Sequence, residues 1–250
     1  MKNLYVLTGA SRGLGLAIAQ QLLRPENQLL CLSRHTNAAL ETEASAAGCA
    51  LEQWSADLGD CAPVAARLAR YLAAQPSAQH SSATLINNAG MIPPLLPLAQ
   101  SEPQNIATAL RVGLEAPMQL CAAFLGATAH WNQPRKVLNI SSGLGRRAMA
   151  SSAAYCAAKA GMDHFSRCVA LEEAAKPNGA TICSLAPGVV DTDMQTQLRS
   201  ADPQAFADQA RFAALHTQGQ LSSPQDTARR LLNWLQRADF GAQVVADVRD

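Results

Sequence analysis

LYVLTGASRGLGLAIAQQLL, residues 4–23, decides the fold. An apolar run of strand length, LYVLT, gives way to a turn carrying Gly9, Gly13 and Gly15, and the turn opens without a break into the apolar helix LAIAQQLL. Glycines at such a junction let the backbone turn sharply and come close to a pyrophosphate, while the helix start offers unpaired N–H groups and a partial positive charge. A glycine turn by itself says little. Between the first strand and the first helix of a strand–helix series, it points to dinucleotide binding.

The rest of the chain continues the alternation. Further apolar runs lie at 28–33, 50–55, 83–87, 136–141, 180–186 and 242–247, and helical stretches are expected at 13–24, 37–47, 61–74, 103–130, 152–175 and 224–237. Strands that are apolar on both faces and separated by helices form parallel crossovers with helices on both sides of the sheet, so the expected class is α/β, a doubly wound Rossmann-type domain. The pattern shows no linker or repeat, and residues 1–250 read as one domain with seven strands. Residues 192–223, polar and rich in Gln and Ala, follow a strand's carboxyl end, where open α/β sheets bind ligands. They are expected either to cover the site as a lid or to form a plain surface excursion.

Composition excludes several classes. The 20 basic and 19 acidic side chains form no basic block, so no nucleic-acid partner is expected. No apolar run is long enough to cross a bilayer, and MKNLYVLTGAS reaches Gly and Ser too soon for a signal peptide. The seven cysteines are scattered singly and the five histidines lack metal-ligand spacing. A reducing cytoplasm without disulfides or bound metal is therefore the expected setting.

The second informative stretch is SSAAYCAAKAG, residues 151–161, in which Tyr155 and Lys159 stand four apart among small residues that favour helix. That spacing places both on one helix face. Reducing a carbonyl by hydride requires a group that stabilises and then protonates the oxyanion. A phenol has an ordinary pKa of about 10, and a neighbouring ammonium brings it toward exchange near neutrality.

TGxxxGxG at 8–15, NNAG at 87–90 and YxxxK at 155–159 occur in this order on the expected elements, and together they resemble the short-chain dehydrogenase/reductase family over essentially the whole chain. The resemblance implies the strand order 3-2-1-4-5-6-7 and a catalytic set of Ser142, Tyr155 and Lys159. The serine is chosen because the family's lies thirteen residues before its tyrosine. Adjacent Ser141 faces the other side of the strand and is assigned a supporting role. The family pattern also implies cofactor contacts from Gly9, Ser11, Arg12, Gly13, Leu14 and Gly15, from Ser33 and Arg34, from Asp57 and Leu58 at the adenine, and from Asn88, Ala89 and Gly90. Tyr155 and Lys159 adjoin the nicotinamide ribose. Pro187, Gly188, Val190 and Thr192 of LAPGVVDT shape the nicotinamide end.

Cofactor choice follows from charge. The second strand ends CLSRH, with no carboxylate to hold a ribose 2′-hydroxyl and with Arg34, and Arg12 of the glycine loop nearby, placed for a 2′-phosphate, so NADP(H) is expected over NAD(H). One position departs from the family pattern. The usual asparagine of the fifth helix, which supports a water in the proton relay, is Gly113 here.

Within the family, NISS, YCAAKAGMDHF, ALEE and APGVVDTDMQ are most similar to sepiapterin reductases and to bacterial benzil or diketone reductases. The aspartate that anchors a pterin in the former aligns with Val245, and Asp247 lies two residues further along, so an apolar ketone or 1,2-dicarbonyl substrate is expected. Leu144, Met149, Met91, Val189 and Met194 are candidates to line its pocket. Arg146 and Arg147 read either as attractors of an acidic substrate or as solvated surface residues. The resemblance further implies a homodimer or homotetramer. Three alternatives stay open: a pterin reductase, a weakly active NADP(H)-binding sensor suggested by Gly113, and an NAD-dependent alcohol dehydrogenase.

Overall fold

A strand buried on both faces must be apolar at successive positions, and β1 (Lys2–Thr8) meets this requirement. Leu4 and Val6 enter the core on one side of the sheet and Leu7 on the other, all fully buried. The same split holds for Leu30 and Leu32 against Leu29 and Cys31 in β2 (Asn27–Ser33), and for Val137 against Leu138 and Ile140 in β5 (Arg135–Ile140). The computed structural model describes residues 1–250. With β3 (Ala50–Ser55), β4 (His80–Asn87), β6 (Thr181–Ala186) and β7 (Val245–Asp247), these strands form one sheet in the order β3-β2-β1-β4-β5-β6-β7. Every neighbouring pair is parallel.

Helices cover both faces. On one side lie α1 (Gly13–Leu22), α2 (Ala38–Ala46) and α9 (Pro224–Gln236), which bury Ile18, Leu40 and Leu231. On the other, α3 (Cys61–Ala73), α5 (Ala116–Ala127) and α6 (Ala153–Ala174) pack around Leu68, Leu72, Phe124 and Trp131. Each fully buried side chain of this size contributes roughly 1.5–3 kcal/mol. Asn37 caps α2 by accepting from Leu40 N–H, and Ser223 caps α9 by accepting from Asp226 N–H.

Two elements differ from the sequence expectation. The single helix expected over 103–130 is α4 (Pro103–Leu110), a five-residue π-helical turn (Arg111–Glu115) and α5. The last strand is three residues long, because residues 242–244, expected to be extended, form bends after Gly241, at φ +88°, and the turn closed by Ala242 N–H to Asp239 O.

The α6–β6 connection closes over a buried ion pair. Arg135 and Glu173 are 3% and 2% exposed, with Arg135 Nη2 3.6 Å from Glu173 Oε2. Burial alone would raise the Glu173 carboxyl. The Ala180 N–H, Lys176 and Arg135 outweigh it and hold the group below its ordinary 4.5. A depressed carboxyl stabilises the fold above its unfolded-state pKa, and that stability is lost as pH falls through the folded-state value. In urea unfolding from neutral pH to about pH 3, stability is expected to fall below about pH 4.5, and Glu173→Gln is expected to be less stable at neutral pH with a flatter fall.

Candidate active site

Because all strands are parallel, their carboxyl ends share one edge, and the motifs follow directly from those ends. Thr8 stands level with Leu32, and Leu7 with Ile86, across the switch point between β2-β1 and β4. The register continues through Asn87 with Asn139, Ile140 with Leu185, and Ala186 with Asp247. The glycine turn, Arg34, Asn88–Gly90, Ser142 and the Pro187–Thr192 segment are thereby brought to one rim.

The glycine turn is held from behind. Thr8 Oγ1 accepts from the backbone N–H groups of Asn88 and Ala89, both at 2.9 Å, and Asn88 Nδ2 donates to Thr8 O and Gly9 O. Ser33 Oγ accepts from Ala10 N–H at 2.9 Å, tying the turn to the end of β2. A Cβ on Gly15 would lie 2.0 Å from Gly9 O, so the helix start and the turn meet at a distance only glycine permits. Arg12, at the N-cap of α1, makes no side-chain cap, which leaves the first N–H groups of the helix to an external acceptor. This cradle suits a pyrophosphate.

Of the two arginines assigned to a 2′-phosphate, Arg34 is exposed and makes no ion pair. Arg12 instead pairs with Asp193 at 2.7 Å, with the two side chains 70% and 73% exposed. A pair so open to water contributes little and exchanges easily. Asp57 Oδ1 accepts from Gly59 N–H and caps the short turn that carries Leu58.

At the reacting end, Tyr155 and Lys159 lie on one face of α6 and are 7% and 4% exposed. Lys159 Nζ donates to Ile140 O at 2.7 Å and sits 5.9 Å from the centre of the Tyr155 ring. Contrary to the expected shift toward neutrality, burial pushes the Tyr155 phenol up to about 12, and it is the nearby Ser142 hydroxyl, not the Lys159 ammonium, that opposes the rise. Burial pulls Lys159 down to about 8, and the Asp163 carboxylate pulls the other way. The phenol is therefore protonated at neutral pH and the ammonium mostly charged. Ser142 is half-buried, and its Oγ accepts from Leu144 N–H. Ser141 turns inward, and its Oγ donates to Asp163.

The segment 192–223 is built of α7 (Asp193–Arg199) and α8 (Gln209–Thr217) joined by a loop. Its ends are pinned together where Asp191 N–H donates to Ser222 O and Ser222 N–H to Val189 O, so it rises from a closed base. It packs onto the site. Leu198, Phe206 and Phe212 form an apolar cluster with Ile92, Leu95, Leu144 and Tyr155, with Met149 and Met194 against it. The phenol Oη lies 3.9 Å from Met194 Sδ. Of the expected pocket residues, Leu144, Met149 and Met194 belong to this cluster, while Met91 and Val189 do not. The aromatic residues of this segment, Phe206 and Phe212, escaped the sequence reading, although they stand out in a stretch made mostly of polar residues and alanine.

Gly113 is buried in the π-helical turn, where a Cβ would stand 3.0 Å from Ala158 Cβ on α6. An asparagine Cβ there would press on that methyl group, which would have to give by a few tenths of an ångström. Asp247 is likewise committed, since its carboxylate accepts two 2.7 Å bonds from Arg249 and lies 4.0 Å from Arg146. Arg147 is exposed and makes no ion pair, whereas Arg146 reaches inward to Asp163 and Asp247.

The fold and rim are those of short-chain dehydrogenases, and the family model described as short chain dehydrogenase matches residues 3–203. The chain belongs to this family of oxidoreductases. It is 37% identical over 235 residues to benzil reductase ((S)-benzoin forming) of Bacillus cereus, covering 94% of each chain. It is 33% identical over 261 residues to sepiapterin reductase of Meriones unguiculatus, covering 98% of this chain and 95% of that one. Among solved structures, a metagenomic short-chain oxidoreductase in complex with NADP superposes with a TM-score of 0.72 at 26% identity, covering 98% of this chain and 94% of the other. No helix is long and apolar enough to cross a membrane.

Proposed function

We propose that the chain is an NADPH-dependent reductase of ketones or 1,2-dicarbonyl compounds. The observation that carries this reading is a buried Tyr155 on one helix face with Lys159, beside Ser142 and enclosed by an apolar lid cluster. When bound, the nicotinamide cofactor supplies the hydride. The Ser142 hydroxyl donates to the carbonyl oxygen and orients it. Tyr155 is the general acid: a phenol held near 12 keeps its proton until the substrate oxygen becomes a strong base. Lys159 holds the ribose hydroxyls and supplies positive charge beside the phenol, which favours proton loss at that moment. Leu144, Ile92, Phe206 and Phe212 exclude water and accommodate apolar substituents.

Gly9, Ser11, Gly13, Leu14 and Gly15 would cradle the pyrophosphate, Asp57 and Leu58 the adenine, Asn88 to Gly90 the adjoining ribose, and Pro187, Gly188, Val190 and Thr192 the nicotinamide. Preference for NADPH is assigned to Arg34, with Arg12 joining it by leaving Asp193. The relatedness to a benzil reductase supports a diketone, and the commitment of Asp247 to Arg249 speaks against the pterin alternative. The reading extends to one domain over 1–250, a lid over 192–223, a cytoplasmic location and a homodimer or homotetramer. For the assembly, exposed Met118 on α5 and Leu171 on α6 are the apolar residues available.

The test is NADPH consumption against a panel of diketones, quinones, aldehydes and sepiapterin. Turnover confined to diketones and apolar ketones supports the proposal. Tight NADPH binding without turnover of any member would favour the sensor alternative. Arg34→Asp is expected to weaken NADP⁺ binding by about tenfold or more while sparing NAD⁺, consistent with the loss of one charge-assisted phosphate contact. An unchanged preference would show that Arg34 does not read the phosphate.

A further inference from the structure

Asp163 is a buried carboxylate to which the reaction above gives no role. It lies one turn beyond Lys159 on α6 and is 2% exposed. Its Oδ1 accepts from two hydroxyls, Ser141 at the end of β5 at 2.5 Å and Ser184 of β6 at 2.7 Å. Its Oδ2 is buried without a hydrogen-bond donor, and the nearest cation is Arg146, with Nε at 3.9 Å. The short turn after Ser142 rests directly on this group. A Cβ on Gly145 would stand 2.8 Å from Asp163 Oδ2 and 2.9 Å from Lys159 O. Ile140 and Ser141 are consecutive: the first accepts from Lys159 Nζ and the second donates to Asp163. The same two residues at the strand end thus hold both the ammonium and the carboxylate.

A buried carboxylate is costly unless it balances a charge. We propose that Asp163 is a positioning residue of the active site, balancing the buried Lys159 ammonium and, through Ser141 and Ser184, fixing the strand end and turn that carry Ser142. The charged and titratable groups around it are Lys159 and Tyr155 on its own helix, Arg146 from the turn, Cys183 on β6 and, beyond Arg146, Asp247 on β7. Asp163 attracts the Lys159 proton and Arg146 offsets that attraction. Removing the two side-chain charges separately therefore moves the lysine in opposite directions, which a purely structural role would not do. The inference rests on the catalytic reading of Lys159, but its test does not use turnover.

The sequence has four lysines, so the Lys159 side chain can be followed by NMR in the full chain carrying ¹³C at the lysine ε-position, with Lys159→Arg supplying the assignment. Asp163→Asn keeps the shape and an acceptor for the hydroxyls, and it is expected to lower the Lys159 titration midpoint by about one unit or more. Arg146→Gln, at a side chain 35% exposed, is expected to raise it. An unmoved midpoint in Asp163→Asn, or a shift of the same sign in both variants, would overturn the proposal. If Asp163→Asn does not fold, Arg146→Gln decides alone: a raised midpoint supports the charge balance, and an unmoved or lowered one refutes it. Opposite shifts in a chain that reduces no carbonyl would leave this inference standing and sink the proposed function instead.

Discussion

Tyr155→Phe is expected to lower kcat for diketone reduction by about 10²–10⁴-fold, the range for loss of a positioned general acid, with NADPH affinity little changed. The phenyl ring of the variant keeps its place in the cluster with Leu144, Leu198 and Phe212, so folding and the apolar pocket are expected to persist. Only the proton is lost. With no other acid at the carbonyl oxygen, hydride transfer would have to produce an alkoxide stabilised by Ser142 alone. Loss of NADPH absorbance at saturating diketone measures the effect, and retention of more than about a tenth of the wild-type rate would remove Tyr155 from the acid role. Phenylalanine also discards the polar contact with Met194 at 3.9 Å, a weak interaction whose loss falls well short of such an effect.

The other large effect is expected at Gly15. In Gly15→Ala the new methyl would meet Gly9 O at 2.0 Å and Asn88 Nδ2 at 2.5 Å. A flexible side chain can yield, but the carbonyl belongs to the turn itself, and moving it disturbs the bond it accepts from Asn88 Nδ2. Overpacking of this kind costs about 1–3 kcal/mol even before the displaced bonds are counted. NADPH binding, followed by fluorescence, is expected to fall by about 100-fold or more, because the disturbed N–H groups are those proposed to cradle the pyrophosphate. Gly126→Ala is the control: nothing lies within 4 Å of a Cβ there, and alanine in α5 is expected to be neutral or slightly stabilising. Equal NADPH affinity in Gly15→Ala and Gly126→Ala would show that the turn does not hold the cofactor.

The sheet was legible because its signal is local. Continuous apolar runs and the glycine turn lie within single stretches of chain, and the order of the strands followed from family resemblance once three motifs were found. The placement of the candidate site was legible to the same extent, since Ser142, Tyr155 and Lys159 are set by a strand end and by one helix face. What escaped the sequence depends on long-range meetings. Arg12 reaches Asp193 across 181 positions, and the inward turn of Arg146 toward Asp247 joins residues 101 apart, which no local pattern encodes. Asp163 left a trace four positions after Lys159, but its importance comes from Ser141 and Ser184 on two other elements. The π-helical turn left none, because the phase shift of about 100° made by one extra residue falls in a stretch, VGLEAPMQL, too evenly apolar to mark it.

The close approach of Gly113 to Ala158 bears on the order in which sequence changes can accumulate. An asparagine introduced at position 113 alone would press its Cβ against the Ala158 methyl, with 3.0 Å available. Glycine at position 158 relieves that pressure but by itself leaves a hole in the helix contact and weakens α6 by roughly 1 kcal/mol. Each substitution is therefore expected to be better tolerated in the presence of the other, so that the Ala158 methyl sets what position 113 can accept.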